Sequence, residues 1–91
     1  MSVTVRVPSA LRALAGGRTE IAATAGSLRD VLDGIGRDAP ELLDRVLAEG
    51  ALRRHVNVFV NDEDVRFREL LDTPVRDGDR VTIVPAIAGG A

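Results

Sequence analysis

Strand periodicity occupies the two ends of this chain and helical periodicity its middle, a distribution that few single-core folds satisfy. At the start, Val3, Val5 and Val7 alternate with Thr4 and Arg6, the period-two pattern of a half-buried strand, and Pro8 closes it. Gly16 and Gly17 mark a turn, after which residues 19–24 read as a second strand that pairs with the first as a hairpin. At the far end, Val56-Asn57-Val58-Phe59-Val60 reads as a strand and Asn61-Asp62-Glu63-Asp64 as a polar turn. Val65-Arg66-Phe67 then reads as the returning strand of a hairpin. Leu70 and Leu71 fall in a short connector, and Asp77-Gly78-Asp79 turns the chain into a last strand over residues 80–85.

Between these ends, Leu28, Val31, Leu32 and Ile35 form a stripe at helical spacing, and Ser27 with Asp30 three residues on has the form of a capping box. A shorter helix is predicted from Pro40, in its first turn, through Leu42, Leu43, Val46 and Leu47, with Gly50 as its stop. The order β-β-α-(α)-β-β-β predicts an α+β fold: one mixed sheet of about five strands, the main helix on one face, and a short second helix. The connection between the first and last strands is long enough to cross over, so they are expected side by side, parallel, at the centre of the sheet. That arrangement is the β-grasp of ubiquitin-like proteins.

Composition narrows the function. Ninety-one residues can enclose one core but not a core plus a deep cofactor cleft, which argues against an enzyme in its own right. With 45% hydrophobic and 29% charged residues the chain should fold alone. It has no cysteine, so disulfides, thiolate nucleophiles and zinc-thiolate sites are excluded. Net charge is −2 with both signs mixed along the sequence, and Phe59 and Phe67 are the only aromatics, so neither a phosphate-binding stripe nor a base-stacking platform is expected and nucleic acid is not a partner. No apolar run reaches the roughly 20 residues of a membrane span, and the start is a strand pattern rather than a leader, so a cytoplasmic protein without a membrane partner is expected. All twelve cationic residues are arginine, consistent with codon use in a GC-rich genome. An activated C-terminus would therefore find no lysine amine on its own surface.

The block from Val58 through the Asn61-Asp62-Glu63-Asp64 turn to Phe67, the turn Asp77-Gly78-Asp79, and the ending Val81-Thr82-Ile83-Val84-Pro85-Ala86-Ile87-Ala88-Gly89-Gly90 resemble the MoaD/ThiS family of sulfur-carrier proteins. Within it the chain is most similar to actinobacterial carriers of cysteine biosynthesis. The resemblance covers essentially the whole chain; its specific parts are the strand-turn-strand block and the last ten residues of that ending, whereas the helices match in pattern only. It implies a domain over residues 1–85 and a flexible C-terminal tail over 86–91. It also implies that a ThiF/MoeB-type activating enzyme of the ubiquitin-activating kind adenylates the terminal glycine with ATP. Sulfur attack then gives a thiocarboxylate, ionised at neutral pH and strongly nucleophilic. Gly90 matches the glycine that carries adenylate and sulfur, and Gly89 the one before it. Glycine at both positions, after Ala88, suits a backbone that threads a narrow channel, because it has no Cβ.

Ala91 departs from the family pattern, because it ties the Gly90 carboxylate into a peptide bond. Either a zinc-dependent JAMM-type peptidase removes Ala91, as the resemblance to carriers with short extensions implies, or Gly90 is not loaded. The first reading is preferred. The acceptor implied by the resemblance is a pyridoxal-phosphate cysteine synthase acting on an activated serine. Molybdopterin, thiamine and thio-sugar pathways use the same carrier logic, and a non-catalytic ubiquitin-like binding module or modifier is the competing class. No cofactor or metal bound by the chain itself is expected; ATP belongs to the activating enzyme.

Alternation along the strands sends Val3, Val5, Val7, Val56, Val58, Val60, Val81 and Ile83 toward the helix and places Phe59 and Val84 on the opposite, solvent-facing side. With Pro85 and Ile87 at the root of the tail they form the expected docking patch for the activating enzyme. Asp62-Glu63-Asp64 is read as turn chemistry, not a calcium loop; His55, without a nucleophile partner, as a surface residue; and Gly16-Gly17 as a turn, not a phosphate loop.

Overall fold

The structure, a computed structural model, describes residues 2–85. The expected tail, residues 86–91, lies outside the described residues. A five-stranded sheet forms the frame, built from β1 (Val3–Arg6), β2 (Glu20–Ala23), β3 (Val56–Val60), β4 (Glu63–Asp64) and β5 (Arg80–Pro85). Its order is β2-β1-β5-β3-β4. The chain's first and last strands are the parallel central pair, with Val5 beside Val81, and every other neighbour is antiparallel. This is the α+β arrangement expected from the element order.

Helix α1 (Leu28–Asp38) packs on one face of the sheet. Its start is fixed locally: Ser27 Oγ accepts from the Asp30 N–H and Asp30 Oδ2 from the Ser27 N–H, each at 3.1 Å. Such a box is worth about 1 kcal/mol. Leu28, Val31, Leu32 and Ile35 are buried with Val3, Val5, Val58, Val81 and Ile83 in one core. Helix α2 (Pro40–Val46) adds Leu42 and Val46, ending before the expected Leu47, which begins a two-residue ladder with Leu52. A Cβ on Gly36 of α1 would press on the Leu43 side chain of α2, which would have to shift to make room.

The expected strand at Val65-Arg66-Phe67 is a 3₁₀ turn, and the partner of β3 is Glu63–Asp64, joined to it by the two-residue turn Asn61-Asp62. Asn61 takes the left-handed φ of 56° that the short turn requires. Asp64 stops the ladder: its carboxylate accepts the Arg66 N–H at 2.9 Å and bends the chain away. Val65 is thereby buried, while Phe67 stands 88% exposed. The linker after Pro8 is likewise a 3₁₀ segment (Ser9–Ala15) that seats Leu11 and Ala15 in the core. At the entrance to β5, Asp79 accepts from the Arg76 N–H at 2.9 Å and from the Asn61 amide at 3.2 Å, and these bonds hold its carboxyl below the ordinary carboxylate range. Among the described residues no helix is long and apolar enough to cross a membrane.

Candidate functional site: the outer sheet face and the root of the tail

Strand β5 runs up the centre of the sheet and delivers the chain, at Pro85, to the residues that follow. Pro85 thus stands at the border of the outer face and the rim of the sheet's β5 end. The expected inward residues Val3, Val5, Val7, Val56, Val58, Val60, Val81 and Ile83 are all buried. The opposite face carries a row across all five strands, in which register places Glu20 beside Arg6, Arg6 beside Thr82, Thr82 beside Phe59, and Phe59 beside Asp64.

Phe59 and Val84 are diagonal neighbours on this face, because Val84 pairs with Asn57 and Thr82 with Phe59. Val84 is 39% exposed, whereas Phe59 is only half-buried between its flanking partners instead of fully open. Pro85 pairs with buried Val56, and alternation assigns it to the helix side, at the lip of the sheet. Ile87, Ala88, Gly89, Gly90 and Ala91 lie outside the described residues. The structure thus brings Phe59 and Val84 together and sets Pro85 at their border.

The polar residues weighed in the sequence have structural occupations. Asp64 caps the turn that follows it, and Glu63 pairs with Arg68 at 2.5 Å. Among the described residues no group of three or more histidine, aspartate or glutamate side chains is placed to hold a metal ion. Arg66 lies along the edge of the face: its guanidinium donates to the Asn57 side-chain oxygen and, at 3.1 Å, to the Arg53 carbonyl. Two features escaped sequence reading. One is exposed Phe67, hidden by the strand assignment. The other is the gathering of arginines from four separate segments around Pro85, of which Arg53-Arg54-His55 was the only signal visible along the chain.

The chain matches the model of the ThiS family over residues 5–90. It is 42% identical over 93 aligned positions to the sulfur carrier protein CysO of Mycobacterium tuberculosis, covering 99% of this chain and 100% of that one. A putative sulfur carrier protein of Archaeoglobus fulgidus is 39% identical over 94 positions, again across 99% of this chain and 100% of the relative. Among solved structures, a chain in the Amycolatopsis orientalis BexX/CysO complex superposes with a TM-score of 0.91 at 41% identity, covering 97% of this chain and 99% of that one.

Proposed function

The chain belongs to the ThiS family of ubiquitin-like sulfur carriers, and from that premise we propose that Gly90 is the atom-transferring terminus. A ThiF/MoeB-type enzyme joins the Gly90 carboxylate to the AMP of ATP with release of pyrophosphate. A sulfide-level nucleophile then displaces AMP and leaves a thiocarboxylate. The protein acts as cosubstrate: it contributes a carbonyl and a docking surface, while ATP and the activating groups belong to its partner. The observation that carries this reading is the family match itself, which runs through Gly89 and Gly90 and leaves Ala91 outside. Removal of Ala91 by a JAMM-type metallopeptidase frees the carboxylate. A pyridoxal-phosphate cysteine synthase is the acceptor in this reading, supported by the similarity to CysO. Intact-mass analysis of the protein from its native cell tests processing and loading together. A mass lower by one alanine, with sulfur in place of one oxygen, is expected; a persistently full-length, unexchanged chain rejects it.

The outer face supplies the docking patch, with Phe59 and Val84 at its centre and Pro85 and Ile87 leading into Ala88 and Gly89. That the related CysO was solved in a complex with BexX supports a carrier that works by docking. Phe59→Asp would set a second carboxylate directly across from Asp64, so Phe59→Thr is the cleaner probe. It is expected to weaken the complex with the activating enzyme about tenfold, the effect of losing one aromatic anchor, while the protein stays folded. Unchanged affinity by calorimetry dismisses the patch.

A further inference from the structure

Charges that are mixed along the sequence separate in space. Two hollows flank Pro85. One, on the outer-face side, is lined in part by Arg6 and Arg12 and the other in part by Arg45, Arg53, Arg54 and His55. Neither is lined by an aspartate or glutamate, although the chain holds fourteen of them. Five of the twelve arginines thus collar the point where the chain leaves the sheet. None of the five pairs with a carboxylate among the described residues, where the three ion pairs join Arg18 to Asp38, Arg29 to Asp72 and Arg68 to Glu63. Glu20, across from Arg6 in the register, and Glu41, Asp44 and Glu49, near Arg45 in sequence, form no ion pair with the five.

The collar is held in place. Arg12 Nε donates to the Val7 carbonyl at 3.2 Å and Arg53 Nε to the Asp44 carbonyl at 2.6 Å. Arg66 caps the carbonyls of Arg53 and Arg54 at 3.1 and 3.4 Å, fixing the segment that presents them. Among the described residues no ion pair neutralises this charge, which stands around Pro85 on a protein whose net charge is −2. Concentrated like charge at the rim of an interface chiefly raises the association rate, because it orients the encounter before contact.

We infer that the arginine collar steers the tail into its partner by meeting an acidic rim around the entrance that receives residues 86–91. This rests on the carrier reading above. The partner is defined by chemistry: a protein whose tail-receiving opening is ringed by carboxylates.

The test is stopped-flow association with the ThiF/MoeB-type adenylating enzyme of the same organism, across a range of sodium chloride concentrations. Arg45→Glu/Arg54→Glu is expected to lower the association rate at low salt about tenfold or more, and to flatten its salt dependence, with dissociation little changed. Arg6→Gln/Arg12→Gln, from the other hollow, should fall part of the way. Arg76→Glu/Arg80→Glu, at the opposite end of β5 and outside both hollows, is the control of equal charge change and should stay within about twofold of wild type. Circular dichroism confirms that each variant is folded. Collar variants that associate as fast as the Arg76/Arg80 control overturn the inference. So does competition by inorganic phosphate beyond that of chloride at matched ionic strength, which would mark a small-anion site. If the Ala91-deleted protein is loaded with sulfur normally while the collar variants in that form associate unchanged, the collar alone fails. If the Ala91-deleted protein neither binds nor loads, the carrier reading fails with it.

Discussion

Gly89→Val is expected to leave thermal unfolding of the protein unchanged and to reduce loading of its C-terminus by about 100-fold or more. The two halves of this result have separate causes. Residue 89 follows β5 in sequence, and the described core, from Val3 to Ile83, is built from residues that precede it. Adenylation, in contrast, needs the Gly90 carboxylate in line with the α-phosphate of ATP inside the partner's channel. A branched Cβ one residue away must either stall the threading or hold the carboxylate off line. Displacement by about 1 Å from reacting geometry costs on the order of 100-fold. Pyrophosphate release, measured with the Ala91-deleted form of both proteins, is the readout. Adenylation of the variant at the wild-type rate removes the steric account of the two glycines.

Leu32→Ala tests the opposite end of the molecule's logic, its fold. Leu32 has no exposed surface and sits in the stripe by which α1 covers the central strands. Truncation removes apolar contacts and leaves a cavity that the closely packed helix and sheet cannot collapse, at a cost of about 2–5 kcal/mol. Against total stabilities of about 5–15 kcal/mol, that is a large share of the whole. For a domain of this size each kcal/mol moves the melting temperature by about 4–8 °C, so a drop of at least about 10 °C is expected by calorimetry. A drop of only a few degrees would mean that α1 does not seat the sheet as described.

The parts of the fold legible in the sequence are those fixed by neighbours a few residues apart. The Ser27 and Asp30 cap is complete within four residues, and the last strand, residues 80–85, is bounded by its own turn. The parallel pairing of β1 with β5 was legible for a different reason: with strands at both chain ends and one helix to bury, few topologies remain. What was not legible depends on partners far along the chain. Val65-Arg66-Phe67 carries a strand-like pattern, yet the Asp64 cap and the reach of Arg66 to Asn57 and the Arg53 carbonyl decide its conformation. Phe59 looked fully open because alternation gives a face and says nothing of the row of neighbours beside it. The arginine collar is the extreme case. Arg6 and Arg54 are remote in sequence and become neighbours of Pro85 only once β5 lies between β1 and β3.

The central claim is that this protein carries sulfur on the carbonyl of Gly90. It is met most directly by incubating the Ala91-deleted protein with ATP, the ThiF/MoeB-type enzyme and sulfide, and then weighing the intact chain and fragmenting it. The account predicts a mass gain equal to replacing one oxygen by sulfur, confined to the C-terminal fragment that ends at Gly90, and absent without ATP. An unchanged mass after complete ATP turnover, or a sulfur located elsewhere in the chain, contradicts it.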